Sequence, residues 1–252
     1  MKFLSNFYMI TAVFLMLFTN ISYAKSFSSD PDYAETLITK HLQESGGSDV
    51  LIKVKSISRY GNIDFYTQNK LKDSFCYHTD IVYPTKLREQ IKGKEIQHDR
   101  GTDGISFWLW TGTQYEFTQD KELTDYMLGA AERANRELLW LKEESNGFDI
   151  VSSPPSWAPQ DSQCIQVVKS KDKIKRIYCF DTATGLLSAL GNDNEYRLET
   201  DWRQVGNIKL PFRLSHYLNG LVAYEVQLER AEIDEVIPNS QFIKPDSPQL
   251  SC

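Results

Sequence analysis

Hydrophobic and polar residues alternate with a period of two along the C-terminal quarter of the chain, residues 195–245. Such alternation is typical of strands in a sheet with one dry face. The turn formers Gly206-Asn207 and Asn219-Gly220 separate three runs, and Asn-Gly between alternating runs is a strong hairpin signal. We therefore predict an antiparallel meander. Its apolar positions are Tyr196, Leu198, Thr200 and Trp202, then Ile208, Leu210, Phe212 and Leu214, then Val222, Tyr224, Val226 and Leu228. In the first run, Glu195, Arg197, Glu199 and Asp201 then fall on the wet face.

The N-terminal half begins with an amphipathic helix and continues with strands. Pro31 suits the first turn of a helix, and Gly46-Gly47 ends it. Leu37, Ile38, His41 and Leu42 share one face of this helix. Val50, Ile52 and Val54 then alternate with polar residues and predict a first strand. Further strands are predicted over 63–68, 74–82, 87–91 and 105–110.

Between residues 120 and 145 the apolar period changes to three and four, which predicts a second amphipathic helix. Gly129 lies inside it and costs about 1 kcal/mol relative to alanine, which favours a break or close packing there. A proline-rich loop follows at 152–160. Asp181 and Gly185 then mark a turn before a strand over 186–190.

The first 24 residues have the pattern of a secretory signal peptide. Lys2 precedes an apolar run from Phe7 to Phe18, and small residues stand at Ser22 and Ala24. Cleavage after Ala24 leaves one domain over residues 25–252; an uncleaved anchor is the alternative. The mature part carries 27 basic and 34 acidic residues, a net charge of −7. This balance disfavours nucleic acid and anionic membrane surfaces as partners. We expect a monomer.

Four cysteines fit an oxidising compartment. Cys164 and Cys179 flank a segment that folds back at its midpoint, so a hairpin places their sulfurs opposite each other and a disulfide is predicted. Cys76 and Cys252 either pair or stay free. The spacing of cysteines and histidines supports no metal site.

Motifs for nucleophilic catalysis, phosphate binding or dinucleotide binding are absent from the sequence. The four histidines are interpreted as structural or surface residues, and the strand carboxylates as solvated charges. We therefore predict no catalytic residues, no metal and no cofactor.

The order of several weak motifs resembles the outer-membrane lipoprotein-sorting (LolA/LolB-like) superfamily. They are the opening helix with Ser-Gly-Gly, Asp103-Gly104 before an aromatic run, the turn at Asp181, and the closing meander with Asp201-Trp202-Arg203, Leu210-Pro211-Phe212 and Val236-Ile237-Pro238-Asn239. The resemblance covers residues 31–245. It implies an α+β fold in which a curved antiparallel sheet forms an unclosed half-barrel, covered on its concave face by helices. It also implies a periplasmic carrier that holds acyl chains of a lipid or lipoprotein.

Apolar side chains between such a sheet and its helices are the candidate ligand contacts. Plain core packing is the competing interpretation. The candidate residues are Phe107, Leu109, Met127, Trp202, Phe212, Tyr224 and Val226. Two other functions remain open: an envelope sensor that binds a protein partner, which a well-filled core would favour, and an enzyme, which a cleft that gathers Glu, His and Arg would favour.

Overall fold

The computed structural model describes residues 31–93, 96–118, 121–133, 136–139, 148–151, 153–168 and 175–246. The predicted signal peptide, Cys252 and residues 140–145 of the second predicted helix lie outside this part of the chain. The helices are α1 (Pro31–Glu44), α2 (Ser48–Lys53) and α3 (Lys121–Arg133). The strands are β1 (Ser56–Thr67), β2 (Lys70–Val82), β3 (Lys86–Lys92), β4 (Ile96–Thr102), β5 (Phe107–Trp110), β6 (Tyr115–Phe117), β7 (Phe148–Ile150), β8 (Ser162–Val168), β9 (Lys175–Asp181), β10 (Leu187–Gly191), β11 (Glu195–Val205), β12 (Ile208–Leu218) and β13 (Leu221–Ile233).

These strands form one antiparallel sheet with the order β6-β5-β4-β3-β2-β1-β13-β12-β11-β10-β9-β8-β7. The sheet is curved, and its edge strands β6 and β7 do not pair, so it is the unclosed half-barrel that the sequence predicts. The short connections between neighbours are hairpins, whereas β1 and β13 join the two halves by a long-range pairing. No helix in the described ranges is long and apolar enough to cross a membrane.

The register of the β11–β12 hairpin corrects the predicted faces of residues 195–199 on β11, whereas Trp202 packs against the main core as predicted. Val205 pairs with Ile208 across a two-residue turn, and the same register pairs Glu199 with Leu214 and Arg197 with His216. Directly paired residues share a face of the sheet. The charged side of β11 therefore lies on the same face as the apolar side of β12, and Glu199 is buried rather than solvated.

Helix α1 covers one end of the concave face. Ala34, Ile38 and Leu42 are buried in the same core cluster as Ile208 and Leu210 of β12. The helix ends where it meets the β11–β12 turn, and a Cβ on Gly46 would lie 2.5 Å from the carbonyl oxygen of Asn207. Glycine also accommodates the positive φ of 125° there.

The segment after α1 is helical, which corrects the predicted first strand over Val50 to Val54. Residues 48–53 form α2, and β1 begins only at Ser56. The Arg136 guanidinium donates to the carbonyl oxygens of Leu51, Ile52 and Val54. These hydrogen bonds satisfy backbone acceptors at the end of α2. The alternation of apolar and polar residues over 50–54 cannot predict this contact, because Arg136 is remote in sequence.

His41 anchors α1 inside the core. Its Nδ1 accepts a hydrogen bond from the backbone N–H of Leu187 at 2.9 Å, and its ring packs near Phe180 and Trp202. An Nδ1 that accepts must be unprotonated. Burial lowers the pKa of His41 to about 4, in agreement with this hydrogen bond.

His41 is expected to make the protein acid-sensitive below pH 6.5. Its pKa is lowered on folding, so the unfolded state takes up a proton first, and stability falls as the pH drops from 6.5 to about 4. The loss should reach about 3 kcal/mol by linkage. Urea unfolding at a series of pH values checks this, with His41→Gln as the non-titrating variant. Equal pH slopes for the two proteins would contradict the assignment.

The convex face carries a buried polar cluster. Asp99 accepts hydrogen bonds from Arg88 at 2.9 and 3.1 Å, from Gln90 at 3.1 Å and from the Tyr115 hydroxyl at 2.6 Å. A 3₁₀ turn, Asn239–Phe242, docks beside it, where Trp108 donates its indole N–H to the Phe242 carbonyl. The C-terminal segment therefore closes this side of the sheet over an ion pair.

We expect Asp99→Asn to be strongly destabilising. It leaves the buried Arg88 guanidinium without a counter-charge, which costs about 3–5 kcal/mol. Denaturant midpoints measure the loss. Asp201→Asn is the matched control, because it breaks the exposed Arg203–Asp201 pair and should change stability little. A loss for Asp99→Asn no greater than that of the control would show that the pair is dispensable.

The predicted hairpin disulfide is present. Cys164 and Cys179 pair in register on β8 and β9, with their Cα atoms 4.0 Å apart and their sulfurs bonded. Cys76 is also disulfide-bonded.

Candidate functional site

A cavity of about 510 Å³ lies on the concave side of the sheet. Strands from both halves of the half-barrel line it, together with α3 and a helical turn at 137–139. Ligand pockets commonly fall in this size range. The lining residues are Arg59, Tyr77, Thr79, Ile81, Leu87, Glu89, Ala130, Glu137, Arg176, Leu190, Gly191, Asn192, Glu195, Tyr196, Arg197, Glu199, Pro211, Leu214, His216 and Tyr224.

One part of the wall is apolar and lies under α3. Ile81 and Leu87 on neighbouring strands form a buried cluster with Phe107 and Met127, and Ala130 packs against that cluster. Met127 and Ala131 on the inner face of α3 are fully or almost fully buried. The small side chains of α3 let the helix approach the sheet, and they leave Ala130 at the cavity surface.

The opposite part of the wall is charged, and Glu137 lies at its centre. Its Oε1 accepts hydrogen bonds from Arg176 and from the Tyr178 hydroxyl, each at 2.8 Å. Burial alone would raise the pKa of Glu137, but the charges of Arg176 and Arg197 outweigh it and the pKa is lowered. The carboxylate is therefore ionised and ties its turn to β9.

The turn that carries Glu137 is held from both sides of the half-barrel. Glu137 is bound to β9, while the neighbouring Arg136 caps α2 and lies 3.7 Å from the centre of the Tyr83 ring. These two adjacent residues connect β9 to α2 across the concave face. The cavity is thus closed on this side by a clamped segment.

Arg197 and Glu199 form an ion pair on β11. The pKa of Arg197 is raised, because Glu199 and Glu137 outweigh its burial. Next to it, the His216 ring stacks on Tyr224 with their centroids 4.7 Å apart. Burial lowers the pKa of His216.

Glu89 forms the third charged group of the wall. Its Oε1 lies 3.1 Å from both Arg100 Nη2 and His98 Nε2. Burial alone would raise the pKa of Glu89, but His98 and Arg100 lower it. Glu89 and Glu137 are thus held ionised by basic neighbours. General acid catalysis calls for a carboxyl with a raised pKa, and Glu89 and Glu137 both have lowered pKa values.

The seven predicted contact residues fall into two groups. Phe107 and Met127 are buried under α3, with Leu109 packed beside them. The other group belongs to the main core cluster or packs against it and consists of Trp202, Phe212, Tyr224 and Val226. Of the seven, Tyr224 lines the cavity, and Phe107 lines a separate recess at the β5–β6 end of α3. Their role in ligand binding remains a prediction.

The charged residues of the wall are the ones that the sequence analysis missed. Arg197 and Glu199 were assigned to the solvated face of β11. A usable signal existed, because a two-residue turn at Gly206-Asn207 makes Val205 the partner of Ile208 and thereby places Glu199 opposite Leu214. For Arg59, Glu89 and Glu137 no local pattern indicates the cavity. No group of three or more metal-ligating side chains occurs within the described ranges.

Comparisons with known proteins identify the fold. Neither protein-family profiles nor curated proteins give a match. Among solved structures, a LolA superfamily protein from Nitrosomonas europaea matches with a TM-score of 0.54 and 10% identity, over 84% of this chain and 97% of that one. A domain of a putative outer membrane lipoprotein-sorting protein from Vibrio parahaemolyticus matches with a TM-score of 0.55 and 8% identity, over 84% and 97%.

A DUF1329 family protein from Desulfovibrio piger matches equally well, with a TM-score of 0.56 and 7% identity over 85% of this chain and 98% of that one. At these identities the similarity lies in the fold. The chain therefore has the LolA-like fold, the fold that the order of its sequence motifs predicts.

Glu137→Gln should loosen the clamped turn. The amide keeps the shape of the side chain but loses the charge that pairs with Arg176, so the backbone amides of residues 137–139 should exchange with solvent about tenfold faster. Hydrogen exchange with mass spectrometry measures this. Glu195→Gln is the control, because Glu195 is an exposed carboxylate of the same wall that pairs with His216. Equal protection in all three proteins would show that Glu137 does not hold the turn.

Proposed function

We propose that this protein is a periplasmic carrier that holds acyl chains of a lipid or lipoprotein between its curved sheet and its helices. The observation that carries the proposal is the 510 Å³ cavity, which has an apolar wall under α3. Burying one CH₂ group gains about 0.8 kcal/mol, so a ten-carbon chain gains roughly 8 kcal/mol before ordering costs. The apolar part of the wall, which includes Ile81, Leu87 and Ala130, contributes to that gain, and holding an acyl chain needs no catalytic group.

The predicted export of the chain supports the same proposal. The predicted signal peptide directs the chain out of the cytoplasm, and the Cys164–Cys179 disulfide fits an oxidising compartment. The lipoprotein-sorting protein from Vibrio parahaemolyticus shares the fold. Release of the ligand requires the covering elements to move, and the turn held by Arg136 and Glu137 lies across the cavity where such movement would open it.

An enzyme is the second candidate, because the cavity gathers glutamates, arginines and a histidine. The ion pairs disfavour it. Glu89, Glu137 and Glu199 each have a basic partner, and the lowered pKa values of Glu89 and Glu137 keep those two carboxylates charged. A sensor with a well-filled core fits less well, because a cavity of this size is present.

The test begins with the full chain expressed with its signal peptide and purified from a bacterial periplasm. Native mass spectrometry should show an added mass, and organic extraction should release an acylated molecule. Ala130→Trp fills the apolar part of the cavity. If it displaces four CH₂ groups, it should weaken binding by about 3 kcal/mol, or roughly a hundredfold.

Asp125→Trp places the same side chain on an exposed position of α3 and is the matched control. It should retain the bound molecule. An apo mass for the wild-type protein that also fails to take up the neutral dye N-phenyl-1-naphthylamine would disprove the carrier function.

A further inference from the structure

A row of paired residues crosses the concave face and places at the cavity an arginine that forms no ion pair with any described carboxylate. Arg59 pairs with Thr79, Thr79 with Glu89, and Glu89 with Arg100 on successive strands. Neighbouring strands are about 4.8 Å apart, so Arg59 and Glu89 are separated by about 10 Å at their backbones. The short side chain of Thr79 between them leaves space at the cavity wall.

Each carboxylate of the wall pairs with a basic side chain other than Arg59. Glu89 contacts Arg100 and His98, Glu137 contacts Arg176, and Glu199 contacts Arg197. Glu195, at the exposed rim, contacts His216. Within the described part of the chain, Arg59 forms no ion pair, although its guanidinium lies close enough to Tyr77 to lower the pKa of that phenol against the larger effect of burial.

Thr79 adds a buried hydroxyl without a hydrogen-bond partner in the described part of the chain, next to Arg59. Its side chain is 96% buried, since its exposed fraction is 4%, and it lines the cavity. Its hydroxyl has no hydrogen-bond partner among the described residues. The hydroxyl lies near that of Tyr77, but their geometry is not that of a hydrogen bond. Buried polar groups without partners are rare and call for an explanation.

The apolar wall begins directly beside this row. Ile81 lies two residues after Thr79 on β2, and Leu87 lies two residues before Glu89 on β3, so both share the concave face with the row. A ligand with its polar end at Arg59 could therefore extend its chain over Ile81 and Leu87 toward Ala130 on α3.

We infer that Arg59, with the Thr79 hydroxyl, binds an oxyanion at the head of an acyl ligand, a carboxylate or a phosphate. The inference rests on the proposed carrier function and specifies the ligand class. A guanidinium donates two parallel hydrogen bonds to either oxyanion, and such charge-assisted bonds are the stronger ones. The basic and acidic side chains that line the cavity nearly balance in number. The preference for an oxyanion is therefore confined to the surroundings of Arg59, and we expect no preference for polyanions.

The experiment compares three ligands that share a sixteen-carbon chain: hexadecanoate, hexadecyl phosphate and hexadecanol. Each competes with N-phenyl-1-naphthylamine for the delipidated full-length mature protein at pH 8. Displacement of the neutral dye shows that a ligand enters the cavity. The difference in affinity among the three competitors measures the contribution of the head group. Either anion should compete at least tenfold better than the alcohol, and the ratio of the two anions distinguishes a carboxylate from a phosphate site.

Variants of Arg59 assign the preference to its side chain. Arg59→Gln should remove the preference for the anions while dye binding stays, and Arg59→Lys should retain part of it. The matched control is Arg230→Gln, a neighbouring arginine on the opposite face that pairs with Glu232. Thermal unfolding of each variant verifies that it is folded.

Three outcomes overturn the inference, and they distinguish loss of the oxyanion site from loss of the carrier function. Equal competition by all three ligands, or a preference for anions that survives in Arg59→Gln, rejects the oxyanion site and leaves the carrier function standing. Failure of the dye to enter the wild-type cavity, together with an apo mass of the protein purified from the periplasm, rejects the carrier function and the oxyanion site together.

Discussion

Burial of the concave face of an unclosed sheet is the constraint on which the structure depends. A closed barrel would fill its interior from its own strands, whereas this sheet needs other elements to exclude water from its apolar side. Helix α1 supplies Ala34, Ile38 and Leu42 at one end, and α3 supplies Met127 and Ala131 at the other. Between these two covers the sheet is not fully packed, and the cavity is the space that remains.

The charges around that space follow from the same constraint. Removing a carboxylate from water is costly unless a cation compensates it. Glu89, Glu137 and Glu199 meet this requirement with Arg100, Arg176 and Arg197. The Glu137–Arg176 pair also brings distant parts of the chain together, because its two residues are 39 positions apart. The charged part of the cavity wall thus helps to hold the turn over residues 136–139, which closes one side of the cavity.

The two faces of the sheet are closed by different chemistry. The convex side is sealed by the Arg88–Asp99 pair, its four hydrogen bonds at Asp99, and the docked turn that ends at Phe242. The concave side is closed by apolar contacts with α1 and α3 and by the partly exposed Glu137–Arg176 pair at the turn over residues 136–139. Apolar contacts are non-directional and tolerate sliding, whereas a saturated buried ion pair does not. Movement that admits a ligand is therefore expected on the concave side.

The sequence by itself determined the antiparallel meander, the amphipathic α1 and the hairpin disulfide, because period, turn residues and symmetric cysteine spacing are local properties. It also indicated the LolA-like fold through the order of its motifs. The tertiary structure alone decided which faces meet. Arg136 capped residues 48–53 into a helix, and the pairing of β1 with β13 brought Arg59 to the same cavity as Glu199. Each of these depends on a partner remote in sequence, and local alternation carries no information about such partners.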